Sequence, residues 1–166
     1  DEAFTVEQFR NALQAQRFPI LHIATHGQFS TVPEETFVVT GPSPAGAAEE
    51  LTFSQLETLL RESSPNAEPV ELITLTACET ATGDDRATLG LAGVAIQAGA
   101  RSAIASLWRL DDATAATLIP QFYRYLQNPN LNKAQALQAA QVAAIAAHPQ
   151  ANPGRWAPLI LVGNWQ

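Results

Sequence analysis

With 166 residues, 46% of them apolar and 15% charged, the chain carries enough hydrophobic material for one domain and is neither a disordered tail nor a charged rod. Nine Lys and Arg against sixteen Asp and Glu leave a formal net charge of −7, which excludes the basic footprint that nucleic acid requires as a partner. No run approaches about 18 apolar residues, so no membrane partner is expected, and a single cysteine, Cys78, excludes an internal disulfide and a multi-cysteine zinc site.

The chain opens Asp1-Glu2-Ala3-Phe4, with no basic segment leading into an apolar run and no initiator Met. The expectation is a cytoplasmic protein and a piece of a longer one. A first helix is predicted over 6–16, capped by Thr5, with Phe9 and Leu13 on its inner face. A strand opens after Pro19 and runs over 20–24; being apolar almost throughout, it is expected to be buried on both faces. Phe37-Val38-Val39 reads as a short strand, and 41–46 as a turn-rich loop. Residues 53–62 form a helix with Leu56, Leu59 and Leu60 inward, ended by Ser63-Ser64-Pro65-Asn66.

A second buried strand covers 70–76, followed by a polar loop over 79–87. The helix predicted over 88–98 is apolar nearly all round and is closed by Gly99. A third strand spans 102–107. Asp111 or Asp112 caps a further helix that Pro120 is expected to kink. Asn132 and Gln135 form a capping box for a helix reaching 147, and 159–162 is the last strand. The sum is an α/β sandwich with a mostly parallel sheet of about four core strands and about five helices.

Chemistry in such sheets gathers at the carboxyl ends of the strands. The first strand ends in Ala24-Thr25-His26-Gly27, and the second in Thr76-Ala77-Cys78-Glu79. If the two are parallel neighbours, His26 and Cys78 leave the sheet at one rim, the layout of a thiol activated by an imidazole. Cys78 follows His26 by 52 positions, the chain order of caspase-type enzymes.

Five motifs occur in order: His22-Ile23-Ala24-Thr25-His26-Gly27; Leu75-Thr76-Ala77-Cys78-Glu79-Thr80; Gly99-Ala100-Arg101-Ser102; Ser106-Leu107-Trp108 with Asp111-Asp112; and Trp156-Ala157-Pro158 with Gly163-Asn164-Trp165. Together they resemble the CHAT domain, a caspase-like domain often fused to tetratricopeptide repeats. The resemblance implies a caspase-like three-layer sandwich in the clan of separase and gingipain. It also implies a cysteine endopeptidase acting on a protein or peptide substrate without a metal or organic cofactor, with a fused or associated repeat domain as a second partner. His26 takes the place of the family's catalytic His and Cys78 that of its nucleophile. The whole of 1–166 is then one catalytic domain, from which an amino-terminal portion of the family domain is absent.

The remaining residues are read one by one, two of them, Asp112 and His22, with an alternative role. The amides of Gly27 and Cys78 are candidates for an oxyanion hole, Gly27 because a missing side chain lets a carbonyl approach. In separase an acid after a Leu-Trp pair meets a basic P1 side chain. Leu107-Trp108-Arg109-Leu110-Asp111-Asp112 has that spacing, which makes Asp112 a candidate substrate-binding residue; the alternative is a helix cap. His22 reads as a hydrogen-bonded structural residue, with orientation of the dyad as the alternative. His148 suits a helix carboxyl end, Asp84-Asp85-Arg86 a solvated loop, and Glu79 and Thr80 the turn that presents the thiol. Trp156 and Trp165 read as packing residues. The rival to catalysis is a dormant caspase-like scaffold, and a more distant one is a thioesterase or acyltransferase using the same pair.

Overall fold

Thr5 accepts a hydrogen bond from the Gln8 amide and starts helix α1, Val6–Ala15, as its cap position predicts. The computed structural model describes residues 4–28, 35–42, 46, 48–62, 69–76, 93, 95–108 and 110–166. Cys78, Glu79, Thr80, Asp84, Asp85, Arg86 and Arg109 lie outside them, as do the loop predicted over 79–87, the helix end at 63–66 and most of the helix predicted over 88–98. In chain order the next elements are β1 (Ile20–Ile23), β2 (Gly27–Gln28), β3 (Phe37–Pro42), β4 (Ala48–Thr52) and α2 (Phe53–Glu62). Then come β5 (Leu72–Leu75), helical residues at 93 and 95–97, β6 (Ser102–Ser106), α3 (Asp112–Leu126), α4 (Lys133–Ala147) and β7 (Leu159–Gly163).

The main sheet has the order β1-β5-β6-β7. β1, β5 and β6 run parallel, and β7 returns antiparallel along β6. A second, antiparallel sheet of β2-β3-β4 accompanies it. Alternate side chains of the main sheet feed two cores. Leu21, Ile23, Ile73, Leu75, Ala103 and Ala105 pack on one side with Leu13 of α1, Leu56 and Leu59 of α2, and Val38 and Leu51 of the small sheet. Leu72, Ile104 and Leu159 face the other way, against Leu118 and Phe122 of α3 and Ala136 and Ala140 of α4. The period of two along each strand makes this three-layer arrangement possible. Each fully buried large side chain, such as Phe53 or Phe122, adds about 1.5–3 kcal/mol of hydrophobic stabilisation.

Three expectations are corrected. β1 is not buried on both faces: its pattern alternates, with Leu21 and Ile23 inside and Ile20 and His22 exposed. It is the edge strand of the described main sheet, and the apolar core under α3 and α4 is built on Leu72, Ile104 and Leu159 of the other three strands. Gly41-Pro42 belongs to β3 rather than to a loop, because β4 pairs with β3 through a register shift between Val39 and Pro42. At such an irregularity the missing proline N–H is tolerated. Trp165 is 52% exposed beyond the end of β7, whereas Trp156 does pack on the α3–α4 core. Pro120 lies inside α3, as expected, with its ring on the exposed side, where solvent can satisfy the carbonyl left without a donor.

The helix ends follow local chemistry. Asn132 and Gln135 close a reciprocal capping box on α4, and His148 is that helix's C-cap. Lys133, 9% exposed at the first turn of α4, is a cation near the positive end of the helix dipole. Glu71, 3.7 Å away, and the Asn164 and Gln166 carbonyl oxygens at 3.2 and 2.7 Å offset that cost. Among the described residues no helix is long and apolar enough to cross a membrane.

Candidate active site

The site begins with a register. Ile20 lies opposite Leu72, and Ile23 opposite Leu75, so every β1 residue faces the β5 residue 52 positions later. Both strands reach the same rim, and the Thr76 amide extends the ladder by donating to the Ile23 carbonyl at 3.1 Å. Thr76 is the last described residue before Cys78.

Beyond Ile23 the chain turns from the main sheet towards the small one. The Thr25 hydroxyl donates to the Val39 carbonyl at 2.7 Å, and the Val39 amide donates to the His26 carbonyl at 2.7 Å. These two bonds fix the His26 backbone on β3 while its side chain stays exposed at the rim. The His26–Val39 bond also sets the phase of the antiparallel ladder. Since paired and unpaired positions alternate, the next pair, Gly27 with Val38, is the one without ladder hydrogen bonds. The Gly27 amide, on a buried residue, is therefore not used by β3.

A polar cluster lines the α3 side of the same strands. The His22 Nε2 lies 3.1 Å from the Thr76 Oγ1, and the Tyr123 hydroxyl donates to the Thr74 Oγ1 at 3.0 Å. The His22 and Tyr123 rings are 5.7 Å apart between centroids. Partial burial of the His22 imidazole disfavours its charged form and lowers its pKa below the ordinary 6.5. Burial likewise raises the Tyr123 pKa above 10, against the opposing pull of the bond with Thr74.

At the start of α3 the two aspartates divide. The Asp111 carboxylate accepts from the Thr114 hydroxyl at 2.7 Å and from the Thr114 amide at 2.9 Å. These bonds, the hydroxyl first, hold its pKa below the ordinary carboxylate value. Asp111 is thus the cap, and Asp112 is the first helical residue, exposed and without a side-chain hydrogen bond or ion pair among the described residues.

β1, β5 and β6 bring His26, Thr76 and the start of α3 to one rim of the sheet. Among the described residues no group of three or more His, Cys, Asp or Glu is arranged to hold a metal ion. The bonds of Thr25, Val39, Thr76 and Tyr123 escaped sequence reasoning; the signal available was hydroxyl residues, Thr25 and Thr76, standing just past two strand ends.

The family model of the CHAT domain matches residues 1–164. The chain belongs to the CHAT domain family. This is a caspase-like peptidase family, and the three-layer α/β architecture of this CHAT domain accords with it. No curated protein matches the chain at a significant level.

Proposed function

We propose that this CHAT domain is a cysteine endopeptidase that hydrolyses peptide bonds of a protein substrate with His26 and Cys78. The observation that supports this reading is that β1 and β5 are adjacent parallel strands ending at the same rim, with His26 three positions past Ile23 and Cys78 three positions past Leu75 in the sequence. Cys78 is two residues past Thr76, a reach of about 7 Å at most, and Thr76 is itself bonded to β1. Thiol and imidazole chemistry at one rim is what a nucleophile–base pair needs.

In the reaction, His26 takes the Cys78 proton and the sulfur attacks the scissile carbonyl carbon. The Gly27 amide stabilises the oxyanion, with the Cys78 amide as second donor. Collapse of the tetrahedral species breaks the C–N bond, and His26 returns its proton to the leaving amine. Water, deprotonated by His26, hydrolyses the thioester and restores the thiol. Asp112, which is free of the cap that Asp111 provides, pairs with a basic P1 side chain. A fused or associated repeat domain is the regulatory partner.

The test is cleavage of a peptide library by the unmodified domain, by Cys78→Ala and by His26→Ala. Cys78→Ala abolishes cleavage, and His26→Ala lowers it by about 10²–10⁴-fold, with the fold retained in both. Full activity of Cys78→Ala ends the peptidase reading, and turnover of small thioesters without any peptide cleavage favours an acyl-transfer enzyme instead.

A further inference from the structure

We infer that His22 is a positioning residue for the nucleophile, acting through its hydrogen bond to Thr76; this role rests on the peptidase reading above. Thr76 is tied to β1 twice. Its amide donates to the Ile23 carbonyl, and its hydroxyl meets the His22 Nε2 at 3.1 Å. The first bond is ordinary sheet pairing, which any residue at this position makes. The second requires a side chain on β1 that reaches diagonally, since the register partner of His22 is Thr74 and not Thr76.

That diagonal bond holds the Thr76 side chain against β1, and Thr76 is two positions before Cys78 in the sequence. His22 is also placed four residues before His26, so a single side chain braces both strands just short of the two reacting groups. The brace extends inward. Tyr123 packs its ring 5.7 Å from that of His22 and donates to Thr74, which pins α3, the helix that begins with Asp112, onto β5. His22 is exposed as a residue at the sheet margin, but its imidazole is partly buried beside Tyr123, so the hydrogen-bonded structural role expected of it is present and the positioning role is added to it. What its imidazole does reach is the Thr76 hydroxyl, two positions before Cys78 in the sequence.

The experiment compares His22→Phe, His22→Gln, Thr76→Val and the double variant His22→Phe/Thr76→Val with the unmodified domain. The readouts are the rate of Cys78 alkylation by a peptidyl chloromethyl ketone and the melting temperature. Phenylalanine keeps the ring and loses the bond, valine keeps the shape of threonine and loses the hydroxyl, and glutamine carries an amide nitrogen to about the Nε2 position. His22→Phe and Thr76→Val are each expected to slow alkylation about tenfold, the worth of one neutral hydrogen bond. The double variant is expected to be no slower than either single one, and His22→Gln to recover most of the rate. Alkylation at the unmodified rate in His22→Phe overturns the inference, as does a rate that falls only in step with melting temperature and is not recovered by glutamine. Those results leave the peptidase reading standing. Failure of Cys78 to alkylate in the unmodified domain removes the reading and the inference together.

Discussion

Ile23 and Leu75 lie opposite one another at the ends of adjacent parallel strands, and the Ile23 carbonyl accepts the amide of the residue that follows Leu75. This pairing is the last rung among the described residues, three positions before His26 on one strand and three before Cys78 on the other. The chemistry proposed for the domain depends on that rung, because a shift of one residue would turn every side chain on β1 to the opposite face.

The two aspartates at the start of α3 are expected to separate in function. Asp111→Ala removes both bonds to Thr114 and costs about 1 kcal/mol of stability, seen as a lower midpoint in urea denaturation. Asp112→Ala leaves the midpoint nearly unchanged and selectively loses cleavage after basic P1 residues. Equal loss over all P1 types in Asp112→Ala removes it from the specificity pocket.

Gly163 has φ of +94°, and a Cβ there meets the Arg101 carbonyl oxygen at 2.5 Å and the Ile96 Cδ1 at 2.8 Å. Backbone crowding of this kind does not relax by rotating a side chain. Gly163→Ala is expected to destabilise the fold by about 1–3 kcal/mol, measured by equilibrium unfolding; an unchanged midpoint contradicts the geometry at the β6–β7 edge.

Stability is expected to fall with acid in two windows. His22 has a folded pKa below 6.5, so the unfolded chain binds the proton more readily, and stability present above 6.5 is lost as pH falls from there through the folded value. Asp111 has a folded pKa below its ordinary 3.8, and its contribution is lost at lower pH still. Tyr123, raised above 10, contributes stability that disappears as pH climbs past 10. Melting temperature against pH checks the signs: His22→Gln removes the upper acid window and Asp111→Asn the lower one. A domain whose stability rises on acidification from 6.5 contradicts the His22 assignment.

The parallel core was legible because β5 and β6 are short buried apolar runs between helices, and because the Thr5, Asp111 and Asn132 caps act within three residues of chain. β4 was not: Ala48-Glu49-Glu50-Leu51-Thr52 has little strand character and becomes a strand through pairing with β3 and burial of Leu51. The exposure of His22 also escaped reading, since the apolar run 20–24 does not reveal that β1 stands at the edge. At the site, the order His26 then Cys78 was visible in sequence. The clamp of Val39 on His26, and the reach of His22 to Thr76, required strands separated by a dozen to fifty residues to be brought together.

The central claim is tested most directly by the rate at which a peptidyl chloromethyl ketone alkylates the chain at neutral pH, with mass spectrometry locating the label. The account predicts rapid, stoichiometric modification at Cys78, abolished in Cys78→Ala and strongly slowed in His26→Ala. A Cys78 that reacts no faster than an ordinary thiol, and at the same rate with His26 present or replaced, contradicts it.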